Sequence, residues 1–225
     1  MPTKKTEPGH KKILIVDDHP MMREGLAQLI SREKDLSVCG EAEDAAPALD
    51  AVEKLNPDLV LIDITLTRKN GIELIKDIHA IRPDLLTLVI SMHDEALYAE
   101  RVLRAGGSGY IMKQEGGKRI MQAIRTVLSG QIYVSEKVSS KILDIFSGRK
   151  SQTEAAPVQR LSDRELEIFH LVGEAKSTKE IAERLNISRK TVEVHKANIK
   201  KKLNLKTSYE LVSYAARWLA SQNPE

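Results

Sequence analysis

The chain has 225 residues, 41% hydrophobic and 30% charged, with a formal net charge of +3. That hydrophobic share excludes a disordered chain, and no apolar run approaches the roughly 18 residues a membrane-spanning helix needs. A single cysteine, Cys39, excludes an internal disulfide, which fits a reducing, cytoplasmic setting.

Met1 to His10 is polar, has no apolar segment of a secretory leader, and reads as a disordered lead-in. Lys12–Val16 is a short apolar run ending at Asp17 and Asp18. A helix follows over Pro20–Arg32, with Met21, Gly25, Leu26, Leu29 and Ile30 at helical spacing. Leu36–Cys39 is a second strand and Ala45–Leu55 a second helix; Asp58–Ile62 is a third strand ending at Asp63. Ile72–Ile81 is helical, Leu85–Ile90 is a strand ending at Ser91, and Ala96–Ala105 is a helix broken by Gly-Gly-Ser-Gly. Tyr110–Met112 is a fifth strand ending at Lys113, and Ile120–Leu128 a fifth helix. Strands alternating with helices, apolar on both faces, predict an α/β domain over 11–132: a doubly wound, five-stranded parallel sheet.

Residues 133–160 read as a linker with a short helix near Val138–Phe146; from Ser147 on, Ser, Gln, Glu, Ala and Pro dominate. Residues 161–221 read as a small all-α, four-helix domain. Ser162-x-x-Glu165, Ser177-x-x-Glu180 and Thr207-x-x-Glu210 are capping boxes, and Ser188 caps one more helix. The short connection Leu185-Asn-Ile-Ser188 has helix-turn-helix spacing. Charge divides the same way: Lys11–Ile132 holds 16 Lys and Arg against 19 Asp and Glu, net −3, and Leu161–Glu225 holds 12 against 9, net +3. A basic half suggests nucleic acid, weakly by itself.

Four strand ends carry polar residues: Asp17 and Asp18, Asp63, Ser91, and Lys113. A parallel sheet gathers those ends on one edge, where doubly wound folds bind ligands. One turn-forming Asp or Ser there is ordinary, but all five together predict a site. Its three carboxylates call for a hard divalent cation, Mg²⁺ above all, while Lys113 and Ser91 suit phosphoryl oxygens. A phosphatase on a similar sheet would carry a second Asp two residues after the nucleophile; that position is Thr65.

Val16-Asp-Asp18, Leu61-Ile-Asp-Ile-Thr65 with Gly71, Ile90-Ser91 and Gly109-Tyr-Ile-Met-Lys113 resemble the flavodoxin-like receiver domains of two-component response regulators, over Lys12 to about Leu128. The resemblance implies that Asp63 accepts a phosphoryl group from a sensor histidine kinase. It also implies that Asp18, Asp63 and the Thr65 carbonyl hold Mg²⁺, with Asp17 helping through water, and that Lys113 and Ser91 contact the phosphoryl oxygens. Tyr110 matches the aromatic that turns inward when Ser91 moves. Two positions depart from the common pattern, Thr67 and Gln114 standing where many receivers have Pro.

Leu161-Ser-Asp-Arg-Glu165, Lys179-Glu-Ile-Ala182, Leu185-Asn-Ile-Ser188, Thr191-Val-Glu-Val-His195 and Lys202-Leu203 resemble the LuxR-type domain of NarL/FixJ regulators. In the helix from Ser188 to Lys202, Val192, Ile199 and Leu203 share one face; Lys190, Glu193, Val194, Ala197 and Lys201 share another. Six cations against Glu193 give that helix net +5. A charge run alone is an ordinary solvated face, but after a helix-turn connection it reads as a recognition helix for double-stranded DNA. Phosphate contacts are expected from Lys176, Thr178, Thr191, Lys196 and Lys201. Base contacts are expected from Glu193, Val194 and Ala197, with Glu193 a base reader unless Lys190 or Lys196 pairs it. His195 is expected to be a satisfied structural histidine; His19, His79, His93 and His170 lack metal-ligand spacing. Trp218 with Leu211, Val212 and Ala215 forms a stripe expected in the core, its edge open to a second protomer. The expected whole is a cytoplasmic, phosphorylation-controlled transcription regulator, not an enzyme, that forms a homodimer on activation. A phosphotransfer module with a protein-binding tail and an unphosphorylated regulator are the alternatives.

Overall fold

The computed structural model describes residues 10–66, 69–140 and 157–222. The chain divides into two compact units, Met1–Ser139 and Ser140–Glu225. The lead-in and Thr67 lie outside the described residues, as does 141–156, most of the expected linker.

The first unit alternates strands and helices without exception: β1 Lys11–Val16, α1 Pro20–Ser31, β2 Leu36–Ala42, α2 Ala45–Leu55, β3 Leu59–Ile62, α3 Gly71–Ile81, β4 Leu86–Ser91, α4 Glu95–Arg104, β5 Gly109–Met112 and α5 Gly116–Leu128. All strand pairs are parallel, in the order β2-β1-β3-β4-β5. Alternate strand residues face opposite sides. Ile13, Ile15, Leu59, Leu61, Leu88 and Ile90 pack with Leu26 and Ile30 of α1 and with Ile120, Ile124 and Val127 of α5. Leu14, Val16, Val60, Ile62 and Val89 are equally buried and point the other way. Helices α2, α3 and α4 follow one another in contact and bury Val52, Ile72, Ile75, Ile78 and Val102. The sheet is therefore doubly wound, as expected.

Past α5 the chain returns to the sheet. Tyr133 accepts from the Tyr110 amide (2.8 Å) and donates to the Ser108 carbonyl (3.2 Å), which lines the β5 edge. Residues 136–140 are helical and Val138 is buried. At the other end of the expected linker, Pro157–Arg160 forms a 3-10 turn with Val158 fully buried. The expected linker thus has paired backbone at Tyr133 and buried side chains at Val138 and Val158; of the short helix expected near Val138–Phe146, residues 141–146 lie outside the described residues.

The second unit holds α6 Asp163–Gly173, α7 Thr178–Arg184, α8 Arg189–Lys202 and α9 Ser208–Gln222. Helix α6 packs on α8 and α9, and α7 on α8. Leu166, Phe169, Ile181, Leu185, Val192, Ile199, Leu211 and Ala215 form the core. Gly173 lets α6 and α9 touch: a Cβ there would meet the Ala215 carbonyl oxygen at 2.8 Å. Trp218 leans on Phe169, ring centroids 5.3 Å apart, and meets His170 edge-on at 6.4 Å. Val212 does not join that stripe; it is 45% exposed, with Tyr209 at 81%. The α7–α8 turn passes through Asn186 at φ 48, a left-handed conformation asparagine tolerates.

Candidate functional site

The ladder hydrogen bonds run one residue past β1 and β3: the Asp17 amide donates to Ala42 (3.1 Å) and the Asp63 amide to Val16 (2.8 Å). Both carboxylates are thereby fixed at the sheet edge, Asp17 2% and Asp63 4% exposed. Lys113, just past β5, donates to Asp63 Oδ2 at 2.9 Å and lies 2.7 Å from Asp17 Oδ2. Asp17 is thus directly ion-paired with Lys113. Its Oδ1 accepts from the His19 amide at 2.9 Å, and His19 Nδ1 lies 2.7 Å from Asp18 Oδ1. Ligand atoms of Asp17, Asp18, His19 and Asp63 all fall within 4.8 Å of one another.

Burial pushes the Asp63 carboxyl above the usual range; Asp17 pushes the same way and Lys113 only partly opposes them. Burial alone would lower the Lys113 ammonium, yet Asp63 and Asp17 outweigh it and hold the amine protonated beyond its usual pH. Behind the site, Gly71 opens α3. Its amide donates to Ile64, and a Cβ there would stand 2.2 Å from the Asp63 carbonyl oxygen. Only a residue without a side chain lets α3 start this close to the acidic strand end. Asn70 caps α3 by accepting from the Ile72 amide at 2.9 Å.

Ser91 and Tyr110 are fully buried. Ser91 Oγ accepts from the His93 amide at 3.2 Å, and the Tyr110 hydroxyl donates to the His93 carbonyl at 2.8 Å. Burial drives that phenol far above its ordinary titration range. The His93 ring stacks on Tyr98 with centroids 4.9 Å apart, and its Nε2 is 3.0 Å from Thr65 Oγ1. His19 and His93 are the neighbours that sequence reasoning missed. His93 reaches Thr65 of another strand's loop, which no local spacing announces, whereas His19 contacts Asp17 and Asp18 of its own loop, where adjacency to the acidic pair was the signal.

On α8, Val192 and Ile199 are buried while Lys190, Glu193, Val194, Ala197 and Lys201 are exposed, the division of faces the sequence predicts. Lys176 is exposed; Thr178, Thr191 and Lys196 are half-buried. Ser188 caps α8 by accepting from the Thr191 amide at 3.0 Å. Glu193 does not stand free: Thr178 Oγ1 donates to its Oε1 at 2.7 Å, and Lys196 Nζ donates to Thr178 Oγ1 at 2.6 Å. His195 departs from expectation. Its Nδ1 is buried with no hydrogen-bond partner among the described residues, and burial, aided by Arg164, lowers its pKa.

A parallel sheet carrying this acid–lysine edge, followed by a helix-turn-helix unit, defines a receiver domain joined to a DNA-binding domain. Residues 13–125 match the family "Response regulator receiver domain" and residues 159–215 match "Bacterial regulatory proteins, luxR family". The chain belongs to the response regulators of the NarL/FixJ, LuxR-type family. It is 36% identical over 210 residues to the oxygen regulatory protein NreC of Staphylococcus carnosus (strain TM300), covering 92% of this chain and 97% of that one. It is 33% identical over 207 residues to the transcriptional regulatory protein DegU of Brevibacillus brevis, covering 86% and 88%. Among solved structures, the Salmonella typhimurium RcsB response regulator matches with TM-score 0.68 at 25% identity, over 93% of this chain and 98% of that one. RcsB from Salmonella enterica serovar Typhimurium, bound to promoter rprA in the presence of phosphomimetic BeF3-, matches with TM-score 0.64 at 26% identity, over 92% and 99%.

Proposed function

We propose that Asp63 accepts a phosphoryl group from a sensor histidine kinase, and that the phosphorylated receiver dimerises and brings two recognition helices onto DNA. The carrying observation is Asp63, buried at the sheet edge and bridged by Lys113 to Asp17. Three carboxylates facing one ammonium leave an excess of negative charge and oxygen donors, a set that fits Mg²⁺. Asp18, Asp63 and the Thr65 carbonyl are the residues to hold it, with Asp17 beside them. When bound, the metal supplies positive charge for the phosphoryl oxygens. Asp63 Oδ attacks phosphorus in line while the donor's nitrogen leaves with its electron pair. Lys113 turns from Asp63 to the transferred oxygens, and the Ser91 hydroxyl donates to one of them. The chain consumes its phosphoryl group as a signal, so it acts as a regulator and not as a turnover enzyme.

The phosphoryl group favours whichever arrangement of Ser91 and Tyr110 it contacts best, and only that difference in affinity moves the equilibrium. Lys201, Lys196 and Thr191 on α8, with Thr178 at the start of α7 and Lys176 just before it, suit phosphates, and Val194 and Ala197 suit thymine methyls, with Lys190 on the same outward face. RcsB bound to promoter rprA in the presence of phosphomimetic BeF3-, and RcsB as two dimers bound to two parallel DNAs, support a DNA-bound dimer as the active form. Among the described residues no helix is long and apolar enough to cross a membrane.

The test is incubation with acetyl phosphate and Mg²⁺, with the phosphate mapped by mass spectrometry. Label is expected on Asp63 alone; wild-type labelling of Asp63→Asn protein would overturn the assignment. A second reading, a regulator that dimerises without phosphate, draws on Tyr110 already lying inside with its hydroxyl on His93. It predicts a dimer in sedimentation before any phosphodonor is added.

A further inference from the structure

We propose that Glu193 is a positioning residue: with the Thr178 hydroxyl it holds and mutes the Lys196 charge, so that it sets discrimination against bulk DNA instead of reading a base. The proposal rests on the DNA-binding reading of the second unit. Its basis is a relay between two helices. The Lys196 ammonium donates to Thr178 Oγ1 at 2.6 Å; that hydroxyl has one proton, and donates it to Glu193 Oε1 at 2.7 Å. Lys196 Nζ and Glu193 Oε1 are 3.8 Å apart, an i,i+3 pair on α8. Thr178 is the first residue of α7. One hydroxyl, donating and accepting, thus ties the start of the first helix to the exposed face of the second.

Three considerations make this arrangement a device for DNA and not for folding. The ion pair is open to solvent on its Glu193 side, 60% exposed, with Lys196 17% exposed, so it is partly screened and contributes modestly to stability. A carboxylate facing a polyanion is unfavourable unless a cation compensates it, and the compensating cation here is a residue suited to phosphates. A lysine already neutralised releases fewer counterions when a phosphate approaches, so it contributes less to sequence-independent binding. To read a base donor, Glu193 would have to leave Thr178 and Lys196. To admit a phosphate, only Lys196 has to turn, with Thr178 and Glu193 left bonded to each other. The relay therefore yields its lysine where a phosphate is correctly placed and withholds it elsewhere.

The experiment is a randomised-site selection, followed by titrations on the selected site and on unrelated DNA across a salt series, all with full-length protein. Glu193→Ala is expected to keep the selected sequence. It should bind unrelated DNA about three- to tenfold tighter at low salt and steepen the salt slope by about one unit, because one more cation acts fully. Glu193→Gln, which keeps the acceptor for Thr178 and loses the charge, should steepen it likewise. In a Lys196→Ala background, Glu193→Ala should leave the slope unchanged. A changed base preference at one position per half-site would overturn the proposal in favour of base reading. An unchanged slope, or a full effect of Glu193→Ala without Lys196, would overturn it as well. If the wild-type protein selects no sequence, the DNA-binding reading itself falls and carries this proposal with it.

Discussion

Lys113 is the residue on which the acidic edge balances. Its side chain is 9% exposed and it meets two buried carboxylates. Removing one member of a buried pair leaves an uncompensated charge. Lys113→Ala should therefore destabilise the metal-free receiver by on the order of 3 kcal/mol in urea titration. Mg²⁺ should stabilise the variant more than the wild type, because the competing cation is gone and ligand binding adds to folding free energy. A smaller Mg²⁺ increment in the variant would contradict this. Gly71 tests the same edge from behind. A methyl group would meet the Asp63 carbonyl oxygen, so Gly71→Ala should cost about 1–3 kcal/mol through forced backbone movement. It should also slow phosphorylation by acetyl phosphate, since the displaced backbone carries Asp63. Normal stability and labelling in that variant would show that α3 shifts at no cost. The five strand-end residues were legible because each ends an apolar run. The direct Asp17–Lys113 pair and the His93–Thr65 contact were not, because they depend on which loops meet in space.

Local chemistry predicted the elements better than their limits. Helix α2 has its expected bounds, but β2 continues to Ala42, past the expected end at Cys39. Pairing with β1 extends it, through a register shift at Ile13/Leu14 that no residue pattern displays. Helix α5 begins at Gly116, four residues before the expected start at Ile120, because the two glycines carry no apolar side chain to extend the helical pattern. Two of three capping boxes close as written, at Ser162/Glu165 and Ser177/Glu180. In the third, Thr207 accepts from the Glu210 amide, but the Glu210 carboxylate takes the Lys206 amide, one residue off. Ser162→Ala should cost about 1 kcal/mol of stability in the second unit. Glu165→Ala should cost more, since its carboxylate also holds Lys202 and so closes α6 onto α8. Equal costs in thermal unfolding would mean that the Lys202 contact contributes nothing.

Helix α6 also carries a pH dependence. Burial keeps His170 below its ordinary 6.5, with Glu174 opposing and Arg184 assisting. His195 is lowered by burial and by Arg164. With both depressed in the fold, the unfolded chain takes up protons first as pH falls through about 6.5. The second unit is therefore most stable above that pH and loses stability below it. Calorimetry at about pH 7.5 and about pH 5.5 should show the loss in one transition only, and His170→Gln should reduce it. A His170→Gln variant as pH-sensitive as the wild type would remove His170 from the explanation.

At the scale of the molecule, an acidic stretch, Lys11–Ile132, of net −3 and a basic stretch, Leu161–Glu225, of net +3 share one chain. One recognition helix spans only a few base pairs, so two half-sites about one helical turn apart need two chains. Phosphodonor should shift the sedimentation mass from monomer toward dimer and tighten binding to paired half-sites. No change in either quantity would leave a constitutive regulator.

The indole of Trp218, wedged against Phe169 and His170, is the only tryptophan in the sequence. Asp63, the proposed acceptor, belongs to the other unit. The molecule thus contains its own optical reporter, placed at the receiving end of the signal and absent from the sending end. Fluorescence excited selectively in the indole reports on the surroundings of Trp218 in the second unit. Any change in its emission when acetyl phosphate is added, lost in Asp63→Asn, measures what one unit tells the other, without a label and before any DNA is present.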